Sequence, residues 1–248
     1  MPSPPTHRVA LVTGGARRIG ASIARRLHHC GFDVAIHCNA SRSDADALAS
    51  DLNGVRADSA HVLQAELAHF DRLPELVAHT IGRFGRLDAL VNNASAFFPT
   101  PLGTATPAQW DTLFASNARA PFFLAQAAAP HLRASRGAIV NLVDIHAQRP
   151  LHDHAPYVMA KGALLAGTRA LALDLAPHVR VNAVSPGAIL WPEDATNTTR
   201  RDALLARTPL ARIGTAEEIA EAVRWLIEDA TYCTGVVIDV DGGRSVLG

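Results

Sequence analysis

The feature that most constrains the fold of this chain is the alternation of short aliphatic runs with longer amphipathic stretches along its whole length. This alternation is typical of βα units that stack into one parallel sheet. Most of the aliphatic runs are apolar at consecutive positions, as expected for strands that helices cover on both faces. Seven strands are predicted, at residues 8–12, 33–37, 61–64, 89–91, 138–142, 180–184 and 236–240.

The stretches between these strands have the periodicity of amphipathic helices. Helices are predicted at residues 19–30, 73–84, 107–117 continuing towards residue 132, 156–175 and 216–227. A length of 248 residues suits a single domain of this kind. We therefore predict an α/β fold, with a doubly wound seven-stranded parallel sheet over residues 8–248 and a flexible tail at residues 1–7.

Composition narrows the partners and the compartment. The chain carries 23 basic and 23 acidic side chains, so no net charge attracts nucleic acid or an anionic membrane surface. No apolar run approaches the length of a membrane-spanning helix. The three cysteines are scattered without a disulfide or CxxC pattern, which indicates a reducing cytoplasm. We expect a cytoplasmic protein whose partner is a small molecule.

In open parallel sheets the ligand lies beyond the carboxyl ends of the strands, where the strand order reverses. Four polar or glycine-containing segments each follow a predicted strand and are expected to converge there. They are Thr13-Gly14-Gly15, Asn92-Asn93-Ala94, Asp144 and Pro186-Gly187.

The segment from Thr13 to Gly20 joins the first strand to the first helix. Its glycines permit a tight turn and a close approach of backbone to phosphate, and the free amides at the helix start face the anion. The pattern favours a dinucleotide site on a Rossmann fold; the alternative is a purely structural βα turn.

The end of the second strand indicates which dinucleotide binds. NAD sites usually carry a carboxylate there, whereas this strand ends in Ile36-His37-Cys38-Asn39-Ala40-Ser41. Arg17, Arg18, His37 and Ser41 could surround a 2′-phosphate with donors and positive charge, which favours NADP(H). The alternative is that the arginines form a solvated helix face.

Tyr157 and Lys161 are four residues apart and therefore lie on one face of a helix. A fixed cation near the phenol is expected to lower the tyrosine pKa, so that the phenol can act as an acid during hydride transfer. The alternative is one aromatic side chain against the core and one lysine in water.

Together these motifs resemble the short-chain dehydrogenase/reductase family along nearly the whole chain. The resemblance rests on the glycine turn, Asn92-Asn93-Ala94, Asn117, the Tyr157/Lys161 pair, Pro186-Gly187 and Val240-Asp241-Gly242-Gly243. It implies that Lys161 holds the nicotinamide ribose, that Asn117 anchors a water in a proton relay and that Asn93 lines the cofactor pocket. It also implies a homotetramer.

Two positions depart from the common pattern of that family. Arg18 replaces the usual glycine in the middle of the phosphate turn, and Asp144 replaces the usual serine thirteen positions before Tyr157. A carboxylate at this position would repel the alkoxide that develops when a ketone is reduced. Reduction of a C=N bond in a heterocycle instead needs a proton on nitrogen, which Asp144 could relay through Tyr157.

Both departures resemble the pteridine reductase branch, including its bacterial dihydromonapterin reductase-like members. His37 and Ser41 match a His-x-x-x-Ser element of that branch, although Ala40 stands where arginine is frequent and Arg42 could compensate. The branch implies that Phe97 stacks on a pterin, with Ser95 and Arg18 at its polar edge. The remaining implied cofactor contacts are Gly14, Ile19, Asn39, Glu66, Leu67, Ala94, Pro186 and Gly187.

Three further interpretations complete the prediction. Phe98 is expected to be a core residue, and His152-Asp153-His154 to lie at the substrate mouth rather than to bind a metal. Residues 188–213 form either a substrate loop that closes as a lid or a polar connection. The predicted function is NADPH-dependent reduction of dihydropteridines; the alternatives are a 3-oxoacyl-thioester or other carbonyl reductase, and a non-catalytic NADP-binding sensor.

Overall fold

A computed structural model describes residues 7–189 and 198–247 of the chain. Within these residues seven parallel strands form one sheet in the order β3-β2-β1-β4-β5-β6-β7. The predicted tail lies outside the described residues except for His7. The strands are β1 Arg8–Val12, β2 Phe32–Cys38, β3 Ala60–Gln64, β4 Ala89–Asn92, β5 Ala138–Leu142, β6 Arg180–Pro186 and β7 Val237–Val240.

Helices cover both faces of this sheet, and the predicted doubly wound α/β fold is confirmed. They are α1 Arg18–His29, α2 Arg42–Val55, α3 Leu73–Phe84, α4 Pro107–Phe114, α5 Ala120–Ser135, α6 Ala155–Leu175, α7 Thr198–Ala206 and α8 Ala216–Glu228. A π-helical turn at Ala115–Arg119 joins α4 to α5. None of the helices among the described residues is long and apolar enough to cross a membrane.

Each face of the sheet has its own apolar core. On one face, side chains such as Ile23 of α1 and Val223 of α8 pack with Val12 and Val140 of the strands. On the other face, helices α3, α5 and α6 pack on the alternate strand residues. Burial on both faces explains why the strands are apolar at consecutive positions.

The order of the strands reverses between β1 and β4, which opens a crevice beyond their carboxyl ends. Hydrogen bonds hold the two strand ends together at this point. The buried Thr13 hydroxyl oxygen accepts from the backbone N–H groups of Asn93 at 2.9 Å and Ala94 at 3.1 Å. This contact fixes the floor of the site.

Candidate active site

Two adjoining cavities lie at the crevice, with volumes of about 600 and 410 Å³. The first extends over the ends of β1 and β2 and the second over the end of β5. Four residues line both cavities, so the two form a continuous site: they are Arg18, Ile19, Asn93 and Ser95.

Most of the predicted site residues line one cavity or the other. Those found only in the first cavity are Gly14, Arg17, His37, Asn39, Glu66, Leu67 and Ala94. Those found only in the second are Phe97, Asp144, Tyr157, Lys161, Pro186 and Gly187. Two predicted residues, Ser41 and Asn117, line neither cavity.

The glycine turn is shaped by close backbone contacts. Gly14 has φ +60°, and a Cβ on Gly20 would lie 2.1 Å from the Gly14 carbonyl oxygen and 2.6 Å from Asn93 Nδ2. No side chain caps the start of α1, and its first turn contains no acidic residue. Uncapped amides at a helix start attract an anion. This turn therefore fits the pyrophosphate of a dinucleotide.

Arg18 occupies the left-handed region of backbone space, with φ +51°. This observation explains why glycine is the usual residue here in the family that the sequence resembles, since glycine adopts positive φ without penalty. An arginine in this conformation costs about 1 kcal/mol. The exposed Arg18 side chain reaches both cavities in spite of that cost.

The structure corrects the expected role of His37. Its Nδ1 accepts from the Gly14 N–H at 3.1 Å, and its Nε2 lies 3.1 Å from the Ala65 carbonyl, which can only accept. The ring is therefore neutral, with its hydrogen on Nε2, and burial lowers its pKa. His37 supports the glycine turn and does not provide a positive charge for a phosphate.

Other side chains that were predicted to bind the cofactor near the end of β2 make contacts within the protein. Ser41 lies at the N-cap position of α2, but its side chain makes no capping hydrogen bond. Asn39 Nδ2 donates to Glu66 Oε2 at 2.5 Å, and Arg17 Nε lies 2.9 Å from Asp44 Oδ2. Arg17 and Arg18 are the cations of the predicted phosphate set that line the first cavity.

Asp144 and Tyr157 are in direct contact. The Tyr157 hydroxyl donates to Asp144 Oδ2 at 2.7 Å, while Asp144 Oδ1 accepts from the His146 N–H at 2.8 Å. Tyr157 is 3% exposed. Burial, followed by the Asp144 charge, raises the tyrosine pKa above its usual value. The expected lowering of this pKa is thus wrong for the protein alone.

The position of Lys161 explains why the tyrosine pKa is not lowered. Its Nζ donates to the Leu142 carbonyl at 2.8 Å and lies 5.9 Å from the centroid of the Tyr157 ring. The side chain is 2% exposed, and this burial lowers the pKa of the amine to about 8. The phenol therefore responds to the nearer carboxylate rather than to the amine.

An aromatic cluster forms one wall of the second cavity. Phe97 stacks on His154 with ring centroids 4.7 Å apart, and its edge meets the ring of Tyr157 at 4.8 Å. Phe97 is 56% exposed, so its ring is accessible to a ligand. Phe98 is half-buried but belongs to none of the described core clusters, so the expectation of a core role is not supported.

Asn117 is fully buried in the π-helical turn, behind the cavities rather than in their walls. Its Nδ2 donates to the carbonyls of Ala96 and Leu113, both at 2.9 Å, and its Oδ1 accepts from the Ser95 hydroxyl at 2.7 Å. The side chain thus holds Ser95 in place, and π-helical turns of this kind are frequent at functional sites.

Several lining residues of the second cavity were not predicted as site residues, and His146 is the one among them with an ionisable side chain. It lies two residues after Asp144, and no motif distinguishes it from the other histidines. His152 and His154 flank Asp153, whose Oδ2 lies 3.0 Å from His152 Nδ1. Within residues 7–189 and 198–247 no group of three His, Cys, Asp or Glu side chains could hold a metal ion.

Comparison with known sequences agrees with this geometry. The sequence model of the family described as enoyl-(acyl carrier protein) reductase matches residues 14–245. Pteridine reductase 1 of Leishmania tarentolae is 39% identical, over 99% of this chain and 99% of its own. The chain belongs to the short-chain dehydrogenase/reductase family. Within this family it is similar to pteridine reductase and is an oxidoreductase with a nicotinamide cofactor.

Other members of the family are also similar to this chain. L-fucose dehydrogenase of Bos taurus is 39% identical over 96% of this chain and 90% of its own. The 3-oxoacyl-acyl-carrier-protein reductase of Staphylococcus aureus strain Mu50 is 35% identical over 94% and 96%. Because these relatives act on different substrates, the substrate must be argued from the site.

Proposed function

We propose that this protein reduces dihydropteridines with NADPH, adding hydride to the C=N bond of the ring while Asp144 and Tyr157 deliver a proton to the ring nitrogen. The observation that carries the proposal is the 2.7 Å hydrogen bond from Tyr157 to Asp144 in a cavity lined by Phe97. The similarity to pteridine reductase 1 supports the same assignment.

The cofactor side of the proposal rests on charge and on the glycine turn. Arg17 and Arg18 line the first cavity, and β2 ends without an acidic residue. Two guanidinium groups and no carboxylate on that strand favour a 2′-phosphate, and so NADP(H). Bound at this turn, the cofactor supplies the hydride.

Proton delivery follows from the pairing of the two acidic groups. Asp144 accepts from Tyr157 and from the His146 amide, which fixes the carboxylate with one oxygen towards the phenol. Because burial raises the pKa of Tyr157, the phenol keeps its proton at neutral pH. In the proposed step it gives this proton to the ring nitrogen while it is hydrogen-bonded to Asp144. Asp144 then takes up a proton from water and passes it to the phenolate, which restores the Tyr157 hydroxyl.

Phe97 suits a flat substrate. Its half-exposed ring meets Tyr157 edge-on and is held from behind by His154, so its orientation is fixed before a ligand arrives. A planar heterocycle gains stacking energy on such a ring, about 0.5–1.5 kcal/mol beyond the burial of its area. A short thioester gains less from the same surface.

Reduction of a 3-oxoacyl thioester is the second candidate, because a 3-oxoacyl-acyl-carrier-protein reductase is 35% identical to the chain. The position of Asp144 weighs against it. A carboxylate that is held against Tyr157 faces the oxygen on which negative charge develops when a ketone is reduced. A ring nitrogen is more basic than a ketone oxygen and can take up its proton before hydride arrives, so that no full negative charge develops beside the carboxylate.

We also propose that the protein has a single domain over residues 8–248, that it is cytoplasmic and that it assembles as a homotetramer. We propose in addition that residues 188–213 form a substrate loop, of which residues 190–197 lie outside the described residues. Within the loop the structure describes α7.

The test is a parallel measurement of NADPH oxidation with dihydrobiopterin, dihydromonapterin, dihydrofolate and an acetoacetyl thioester. The expected result is a kcat/KM for at least one dihydropterin that exceeds the thioester value about 100-fold or more, because the Asp144 carboxylate disfavours the negative charge that develops on a ketone oxygen. Activity on the thioester alone would overturn the proposal in favour of the second candidate.

A further inference from the structure

His146 lines the second cavity, yet nothing in the mechanism above uses its ring. Its backbone N–H donates to Asp144 Oδ1 at 2.8 Å, which ties the residue to the centre of the proposed reaction. The ring is half-buried, at the start of a short 3₁₀ helix, Ile145–Ala147, that Asp144 caps. The imidazole is thus held beside the carboxylate by the same turn that orients the carboxylate.

The contacts of the ring fix its tautomer. Nδ1 lies 2.8 Å from the Arg149 carbonyl oxygen, and a carbonyl can only accept a hydrogen bond. Nδ1 therefore carries the hydrogen, and in the neutral ring Nε2 has a free lone pair. No hydrogen bond joins Nε2 to any described residue of the chain. Nε2 is therefore an acceptor that the described residues leave without a hydrogen bond, on a residue that lines the cavity.

We propose that His146 is a specificity-determining residue whose Nε2 accepts a hydrogen bond from an N–H group on the edge of the substrate ring. The inference rests on the proposed function and names the substrate class more narrowly, as an amino-substituted heterocycle. Such a ring has several N–H donors on its edge, whereas a 3-oxoacyl group has none beside its reacting carbonyl. A site that pairs an acceptor with each donor rejects analogues that lack the donor.

Two substitutions distinguish the contributions of the two ring nitrogens of His146. His146→Asn places an amide nitrogen at the position of Nδ1, so it keeps the donor to Arg149 and removes Nε2. His146→Gln places its amide at the distance of Nε2 from the backbone, so it keeps an acceptor there and loses the Nδ1 donor. Each variant is the matched control of the other.

The experiment measures steady-state kinetics with NADPH and dihydrobiopterin, the dissociation constant for NADPH, and the melting temperature of the three proteins. For His146→Asn we expect KM for the dihydropterin to rise about tenfold, with kcat within about twofold, the size of one neutral hydrogen bond in the bound state. Its NADPH affinity and melting temperature stay as in wild type. His146→Gln keeps KM within about threefold and melts a few degrees lower, because the loop contact to Arg149 is lost.

The outcomes are distinguishable. An unchanged KM in His146→Asn, or the same rise in both variants, overturns the role of Nε2 while wild-type turnover leaves the proposed function intact. A simultaneous loss of NADPH affinity in His146→Asn shows a structural role and also overturns it. If the wild-type protein neither binds nor reduces the dihydropterin, the proposed function fails and this inference fails with it.

Discussion

Replacement of Asp144 by Asn tests the proton-delivery step with little change in shape. The carboxylate accepts two hydrogen bonds, one from Tyr157 and one from the His146 amide. In Asp144→Asn the amide oxygen can keep the bond from His146, and the amide nitrogen turns to the Tyr157 hydroxyl, which can accept as well as donate. The contacts survive, but the group can no longer carry a proton or a charge.

The expected magnitude follows from these contacts. Loss of a positioned proton-transfer group typically costs 10²- to 10⁴-fold in rate, or about 3–5 kcal/mol in the activation barrier. Since both hydrogen bonds have a neutral replacement, we expect a change of about 1 kcal/mol or less in the free energy of unfolding. The dissociation constant for NADPH should stay within about twofold, because Asp144 does not line the first cavity.

The assay is single-turnover reduction of dihydrobiopterin by NADPH, followed by absorbance and accompanied by a thermal melt. Asp144→Asn is compared with Asp111→Asn, which removes an exposed carboxylate from α4 and should behave as wild type. A turnover rate for Asp144→Asn within about threefold of wild type would refute the role given to this residue.

Three further predictions concern the cofactor turn and stability. Gly20→Ala should weaken NADPH binding at least about tenfold, because the new Cβ would lie 2.1 Å from a carbonyl oxygen. The control is Gly82→Ala in α3, whose Cβ meets no atom within 4 Å and which should raise the melting temperature by a few degrees. Equal NADPH affinities of the two variants in equilibrium titration would contradict this prediction. Arg17→Ala should raise KM for NADPH about tenfold and leave KM for NADH unchanged, and a parallel rise for both cofactors would exclude contact with the 2′-phosphate. Burial lowers the pKa of His28 from 6.5, so the unfolded chain binds this proton more readily and the protein becomes less stable as the pH drops below about 6.5. In urea unfolding, His28→Gln should lose less free energy of unfolding between about pH 7.5 and 5.5 than the wild type. Equal losses in the two proteins would contradict the assignment.

The fold was predictable from the sequence because burial on both faces makes each strand a continuous apolar run. The predicted strands end within two residues of the observed ones. Helices α2 and α7 were not predicted individually. In α2 the buried side is formed by Ala45, Leu48, Ala49 and Leu52, whose two alanines give a weak apolar periodicity.

The site was predictable in its membership and less so in its electrostatics. The resemblance to the short-chain dehydrogenase/reductase family indicated the contact of Asp144 with Tyr157, because Asp144 stands where that family usually has a serine. The direction of the tyrosine pKa depended on the burial of Tyr157 and its contact with Asp144, and the neutral state of His37 depended on the Ala65 carbonyl that its Nε2 meets. Such contacts are between residues far apart in the chain or on separate strands, so no local pattern encodes them.

In the proposed reaction, hydride goes to a ring carbon of a C=N bond while the nitrogen takes up a proton. This reaction is tested most directly with NADPH deuterated at the transferred position and dihydrobiopterin, with the product analysed by mass spectrometry and proton NMR. The expected product is tetrahydrobiopterin with one deuterium on the carbon of the former C=N bond. Absence of deuterated tetrahydrobiopterin, with label recovered instead in the hydroxyacyl product of an acetoacetyl thioester, would contradict it.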